Sequence, residues 1–280
     1  TADLANLNRV IHSNFSSAAD PSVDAKIHND LEQLSQYADT TVLRQSDGTY
    51  SVYLGGQTPL VLGTSQFQIQ ANFSNTQSQI LDSQGKDVTG QIQHGQLGAL
   101  LDENNNVIPS YMSDLNTLAQ TVADQVNTTL AGGVDQNGNV PEVDLFSYNA
   151  TTGVAGSLSV TSITPDQIAA ASASAPGGNG NALAVAALAN ASAVNGASFT
   201  SFYGNLSARI GRDMSTAQDH ESAQKDLVTQ AQNQRRQDSG VSIDEEAAQL
   251  IQFQSAYQAA GKMLTVVNDL TQTLMNLIQP

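Results

Sequence analysis

Apolar positions along this chain change their spacing several times, and each change marks a new element. Leu4, Leu7, Ile11 and Phe15 recur three and four residues apart, which predicts an amphipathic helix. Val23, Ile27, Leu31, Leu34 and Ala38 form the apolar face of a second helical stretch. Asp20-Pro21 lies between them. Asp can cap a helix and Pro fits the first helical position, although one helix kinked at Pro21 would satisfy the same pattern.

From Thr40 the period shortens. Thr40-Thr41-Val42-Leu43-Arg44 and Thr49 to Leu54 predict two strands joined at Asp47-Gly48, where glycine accepts the positive φ of a hairpin turn. Gly55-Gly56 predicts the next turn and Leu60-Val61-Leu62 a third strand. Phe67, Ile69, Ala71 and Phe73 alternate with polar residues, which predicts one buried and one wet face. A weak strand is expected around Val88, between Gly85 and Gly90.

Ile108, Met112, Leu115, Ala119, Val122, Val126 and Leu130 return to helical spacing. They predict a helix of about five to six turns, starting near Pro109 and stopping before Gly132-Gly133. Residues 132–180 are rich in Gly, Asn, Ser and Ala; Leu158-Ser159-Val160 is their convincing strand, and Pro176-Gly177-Gly178 with Asn179-Gly180 reads as a loop. A short helix (Leu183 to Leu188) and a long one (Ser198 to Arg236) follow.

The sharpest pattern is the last. Ser242-Ile243-Asp244-Glu245 fits a capping box, and Asp244, Glu245 and Glu246 complement the positive end of a helix dipole. Leu250, Phe253, Tyr257, Ala260, Leu264, Val267, Thr271, Leu274 and Ile278 then alternate spacings of three and four, the seam of a coiled coil. Leu270 and Leu277 widen the stripe. Such a helix would be about 54 Å long, at 1.5 Å per residue. Its first part could pack on the preceding helix, where Phe202, Leu206, Ile210, Met214 and Ala217 offer a face. In an antiparallel hairpin Leu274, Leu277 and Ile278 would overhang, and an exposed apolar end implies a partner.

These elements predict an α+β fold: an elongated helical rod or bundle with long antiparallel C-terminal helices, plus a small, mainly antiparallel β domain. The rod would comprise residues 1–40, 95–131 and 181–280. The β region and its loops would comprise 41–94 and about 132–180.

Length and composition narrow the function. A chain of 280 residues makes one large or two modest domains. It has no Cys, which excludes disulfides, thiolate zinc sites and cysteine nucleophiles. The net charge is −16, and residues 87–208 contain neither Lys nor Arg. Such a chain cannot neutralise successive phosphates, and an anionic membrane repels it, so neither nucleic acid nor membrane is an expected partner. No apolar run approaches the roughly 18 residues of a spanning helix. The first residues show no charged and apolar leader, so export would use a route the sequence does not display.

Candidate chemistry is sparse. The carboxylates of Asp102-Glu103 and of Asp244-Glu245-Glu246 read as turn and helix-cap groups. Asp135-Gln136-Asn137-Gly138-Asn139 reads as a turn, because its glycine comes two places too early for a calcium loop and the closing Glu is missing. The four histidines have no ligand spacing. No catalytic residue, cofactor or metal is expected, and the chain is not expected to be an enzyme.

Several motifs resemble one family. Ser239-Gly240-Val241-Ser242-Ile243-Asp244-Glu245-Glu246-Ala247-Ala248, with Leu250-Ile251-Gln252-Phe253-Gln254 and Ala256-Tyr257-Gln258-Ala259-Ala260, is similar to the C-terminal signature of flagellar axial proteins. Asp47-Gly48-Thr49, Val52-Tyr53-Leu54-Gly55-Gly56 and Pro59-Leu60-Val61 resemble the hairpin of FlgK-type hook-associated proteins. Gly95-Gln96-Leu97-Gly98-Ala99-Leu100-Leu101-Asp102 resembles their turn before a helix, and Gly178-Asn179-Gly180-Asn181-Ala182-Leu183-Ala184 their re-entry into the rod. The C-terminal signature is shared among axial proteins, and the middle motifs narrow the resemblance to this member. The family's Asn- and Gly-rich N-terminal helix has no counterpart here, and Thr1 is expected to lie within the later helical region.

The resemblance implies a non-enzymatic subunit joining hook to filament, self-assembled in a ring and exported by the flagellar secretion apparatus. Its implied partners are the hook protein, the next hook-associated protein and a cytoplasmic export chaperone at the C-terminal helix. The expected assembly and chaperone interface is Leu250, Phe253, Tyr257, Leu264, Val267, Leu270, Leu274, Leu277 and Ile278. Three alternatives stay open: another axial protein of hook or filament type, a secreted coiled-coil adhesin or effector, and an acidic glycan hydrolase, which would need two buried carboxylates facing one cleft.

Overall fold

The computed structural model describes residues 1–14, 17, 20–74, 77–239, 251–255, 257, 258 and 262. It is an α+β structure that divides into two units, Thr1–Ser207 and Ala208–Pro280. The first unit opens with two separate helices, α1 (Ala2–Ser13) and α2 (Pro21–Tyr37), which resolves the choice left open at Pro21. Asp20 caps α2 by accepting the Ser22 N–H at 2.8 Å, and Pro21 occupies the first turn.

Four strands then form an antiparallel meander in chain order: β1 (Thr40–Arg44), β2 (Tyr50–Leu54), β3 (Thr58–Leu62) and β4 (Ser65–Gln66). The Asp47-Gly48 turn forms as the sequence predicts. Gly48 has φ +83°, and Asp47 Oδ1 accepts from the Thr49 hydroxyl at 2.7 Å and its N–H at 3.0 Å. A hairpin of β5 (Gln70–Asn72) and β6 (Gln79–Leu81) follows. The expected alternation holds for half-buried Phe67 and Ile69 but fails beyond them: Ala71 is exposed and Phe73 is 74% exposed. Only Gln70–Asn72 pair as a strand there, so the pleat that would keep Ala71 and Phe73 inward is not continuous with Phe67. Around Val88 there is no strand but a bridge between Leu81 and Asp87, followed by a 3-10 turn at Thr89–Gln91. Val88 itself is buried.

The long helix begins at Ile108, beside Pro109 as its apolar spacing predicts, and further helical turns lead into it without a break. α3 (Gly95–Asp102), a π-helical stretch (Glu103–Val107) and α4 (Ile108–Ala131) are contiguous. Proline has no N–H to return to the preceding turn. The wider π turn lies just where that bond would be missing. Gly95 permits the sharp entry: its φ is +75°, and a Cβ there would lie 2.7 Å from the backbone of Tyr37 and Ala38.

A single apolar cluster joins α1, α2, the meander, β6 and α3. It includes Leu4, Ile11, Ile27, Val52, Leu54, Val61, Ile80, Val88 and Leu101. Fully burying each large side chain contributes roughly 1.5–3 kcal/mol. One member of that interior is polar. Asn8 of α1 is fully buried, donates to the carbonyls of Tyr50 (2.7 Å) and Gly63 (2.6 Å), and accepts the Tyr50 N–H (2.9 Å). Tyr50 in turn carries Arg44 over its ring at 5.6 Å and reaches Asp24 of α2 through its hydroxyl at 3.3 Å. Burial holds the Tyr50 phenol above its ordinary pKa.

The rest of the unit gathers on the second half of α4. β7 (Gly133–Val134) pairs with β10 (Ala171–Ser172), and β8 (Phe146–Ser147) with β9 (Ser159–Val160), as the Leu158-Ser159-Val160 pattern suggested. α5 (Val154–Ser157) and α6 (Gly180–Ala187) complete the group. α7 (Phe199–Ser239) starts within this unit and continues into the second; Ser198 caps it, its hydroxyl accepting the Ser201 N–H at 3.2 Å.

Two outcomes follow. Asn8→Ala leaves the buried Tyr50 N–H without an acceptor and should cost about 3 kcal/mol, read as a lower urea midpoint at unchanged slope. Exposed Asn6→Ala should stay within about 0.5 kcal/mol. The second concerns pH. The Thr49 hydroxyl and N–H hold the Asp47 carboxyl below its ordinary pKa. As pH falls the unfolded carboxyl protonates first, so the turn stabilises the fold above the ordinary value and loses that contribution as pH drops through the depressed one. Urea titrations should therefore show a flatter acid limb for Asp47→Asn than for the wild type.

Candidate functional site

The first half of α4 carries apolar side chains that the fold leaves in water. Ile108 is 44% exposed, Met112 56% and Leu115 37%, and their spacings of four and three set them on one stripe. The remainder of the same sequence pattern is covered: Ala119, Val122 and Val126 are half-buried and Leu130 is buried. Cover begins at Asn116, whose Oδ1 accepts the Ala155 N–H of α5 at 2.9 Å. The seven positions thus form one stripe in the sequence and two surfaces in the structure.

Asparagine amides fix where that cover sits. Asn127 of α4 donates to the Phe146 carbonyl and accepts the Phe146 N–H, both at 2.9 Å, which aligns β8 along the helix. Asn181 of α6 is buried and donates to the Ala169 carbonyl at 2.7 Å. In the π-helical stretch Asn105 does the same for Ser78, donating to its carbonyl at 2.9 Å and accepting its N–H at 2.8 Å. These contacts are not visible in the sequence, because a lone Asn on a helix reads as a solvated position.

α7 has a similar division within its own length. Leu206 is buried and Phe202 half-buried, while Tyr203, Ile210 and Met214 are 57%, 40% and 63% exposed. Of the predicted interface, Phe253 and Tyr257 are helical and 73% and 82% exposed. Leu250, Leu264, Val267, Leu270, Leu274, Leu277 and Ile278 lie outside the described residues.

Charged groups do not converge on a reaction centre among the described residues. A polar hollow of about 690 Å³ is lined by Asp135, Glu142 and Asp166. Asp135 there serves its own turn: its Oδ1 accepts the N–H groups of Asn139 and Asn137, both at 2.8 Å, and the Asn139 bond leads in holding the carboxyl below its ordinary pKa. The loop is therefore the turn that its early glycine predicted. No group of three or more His, Cys, Asp or Glu among the described residues is placed to hold a metal ion. Among the same residues, no helix is long and apolar enough to cross a membrane.

The chain is similar in sequence to known proteins. Residues 1–146 match the family model of the flagellar hook-associated protein FlgK helical domain. Residues 232–277 match that of the flagellar basal body rod FlgEFG protein C-terminal. Flagellar hook-associated protein 1 of Bacillus subtilis (strain 168) is 27% identical over 186 residues, covering 62% of this chain and 36% of that protein. Flagellar hook-associated protein 1 of Escherichia coli (strain K12) is 36% identical over 89 residues, covering 31% of this chain and 16% of that protein. The matched part of the chain thus spans little more than a third of the length of the first of these relatives, and less of the second. The flagellar hook junction protein FlgK from Burkholderia pseudomallei aligns with TM-score 0.47 and 28% identity, over 53% of this chain and 28% of that one. The chain belongs to the FlgK family of flagellar hook-associated proteins.

The partition of α4 gives a direct test. Met112→Ser, at a 56% exposed position, should change stability by less than about 1 kcal/mol. Leu130→Ser, at a buried one, should cost about 3 kcal/mol. Paired urea unfolding curves compare them.

Proposed function

We propose that the chain is a structural, non-catalytic subunit of the bacterial flagellum that joins hook to filament through its helical termini. Family membership supports the flagellar role. The observation that carries the rest is the exposure of helical Phe253 and Tyr257, in a sequence whose heptad pattern runs on to Ile278. Apolar side chains at heptad spacing are stabilised when a neighbouring helix covers them, by roughly 1.5–3 kcal/mol for each one fully buried. In this reading, Leu250, Phe253, Tyr257, Leu264, Val267, Leu270, Leu274, Leu277 and Ile278 form the seam. Its partners are the hook protein, the next hook-associated protein and further copies of the chain in a ring.

The same stripe would be held by a cytoplasmic chaperone before export through the flagellar secretion apparatus, which keeps it from aggregating and delivers it outside the cell. Use of one surface by both partners makes chaperone binding and assembly mutually exclusive. A second reading, a hook- or filament-type axial subunit, is favoured by the match of residues 232–277 to a model of basal body rod proteins.

The test is complementation. In flagellated cells lacking their own hook-associated protein 1, the wild-type protein should restore swimming, and a fluorescent copy should mark the hook–filament boundary. Leu270→Ser with Leu274→Ser should abolish swimming while leaving the urea midpoint of residues 1–207 within error. Labelling along the whole filament or hook would favour the second reading. Chaperone capture that survives deletion of residues 262–280 would remove the chaperone from the proposal.

A further inference from the structure

The chain contains three Asn-Gly pairs, Asn137-Gly138, Asn179-Gly180 and Asn195-Gly196, and the fold treats them differently. Asn-Gly is the sequence in which a backbone nitrogen most readily attacks the preceding side-chain amide, because glycine presents no Cβ to obstruct the approach. The attack needs a free glycine N–H and an asparagine able to turn its carboxamide toward it.

Two of the pairs are restrained. The Gly138 N–H is committed to the Asp135 carbonyl at 3.0 Å, and the Asn137 N–H to Asp135 Oδ1 at 2.8 Å. The Asn179 carbonyl accepts the Leu183 N–H at 3.0 Å in the first turn of α6, and a Cβ on Gly180 would lie 3.2 Å from the Ser172 hydroxyl. Rotating the backbone at either asparagine to bring amide and nitrogen together therefore breaks bonds that the loop or helix relies on.

The third pair is held only by its neighbours. Val194 and Ala197 exchange both backbone hydrogen bonds, at 3.0 and 2.9 Å, leaving Asn195 and Gly196 as an exposed two-residue tip. Among the described residues no hydrogen bond holds the Gly196 N–H, and a Cβ built on Gly196 meets nothing within 4 Å. Asn195 is also the one non-glycine with positive φ, +48°, among the described residues. Leaving that left-handed conformation relieves strain and opens only the Val194–Ala197 pair.

We infer that Asn195 is a self-modification site, where the Gly196 nitrogen closes on the Asn195 carboxamide to form a cyclic imide. In that step the Gly196 nitrogen gives up its proton and forms a bond to Cγ of Asn195. The Cγ–Nδ2 bond breaks, and the amide leaves as ammonia. Water then opens the imide at one of its two carbonyls, yielding aspartate or, with the backbone rerouted through the side chain, isoaspartate. No oxidant or reductant is involved.

The product falls at a consequential place. A new carboxylate appears three residues before Ser198, the cap of α7, where the helix dipole favours negative charge. α7 therefore keeps its start, while isoaspartate adds one methylene to the main chain of the turn leading into it.

The experiment ages the full chain in heavy-oxygen water at mildly alkaline pH and maps peptides by mass. An aspartate-directed protease is required, since trypsin finds no Lys or Arg between 87 and 208. Asn195 should convert about tenfold faster than Asn137 or Asn179, because those sites must first open locally. Isoaspartate should exceed aspartate among its products. In urea, where the fold no longer protects, the three rates should converge. Equal conversion at Asn137 or Asn179 in the folded chain would overturn the inference, as would the same ranking in urea.

Discussion

A carboxamide on a helix can take the place of a neighbouring strand, and the first unit depends on that substitution. One asparagine offers a donor and an acceptor side by side, the same pair that a strand residue presents through its N–H and C=O. Asn8 meets Tyr50 in this way, Asn105 meets Ser78 and Asn127 meets Phe146. Each contact satisfies both polar groups of a residue that would otherwise need a sheet neighbour or water. It also fixes the register of strand against helix, which apolar packing alone leaves loose. In a chain with no Trp and 5% aromatic residues, large rings that could set such registers by shape are scarce.

The elements built on local rules were legible in the sequence. Asp20-Pro21 announced the start of α2, Asp47-Gly48 the hairpin and Gly132-Gly133 the end of α4, because each rests on backbone chemistry within a few residues. What was not legible depends on distant residues. Asn8 stands on the buried face of α1 beside Leu4 and Ile11, yet its type suggests water, and only the backbone of Tyr50 and Gly63 explains it. The helical turns that lead into α4 were not legible for a related reason. Pro109 looks like a first-turn proline, and the π-helical stretch that lets the helix pass through it leaves no apolar signature. The Phe67–Phe73 alternation failed because period two describes a strand, whereas the paired segment there is three residues long.

Seven apolar positions from Ile108 to Leu130 make one continuous pattern, but burial divides them near Asn116. Hydrophobic spacing therefore reports which face of a helix is apolar, and says nothing of what covers it or whether the cover belongs to the same molecule. Phe253 and Tyr257 raise the same question for the C-terminal segment. An assembling protein resolves it by leaving apolar faces for its neighbours. Residues 87–208 carry acidic groups and no Lys or Arg, so the Ile108 stripe has no cationic counterpart near it in sequence.

The π-helical stretch has an evolutionary consequence. One additional residue in a helix rotates everything beyond it by about 100°, at 3.6 residues per turn. Here that phase step lies between α3, whose Leu101 faces the meander core, and α4, whose Ala123 and Leu130 face the loops that follow. The two segments can therefore address different sides of the molecule while remaining one uninterrupted length of helix. Deleting a single residue between Asn104 and Asn106 would remove that phase step and turn the Ile108 stripe away from its present outlook, at the cost of the wide turn that accommodates Pro109. A lineage could in this way redirect a contact surface by one codon, with no change to any side chain in the surface itself.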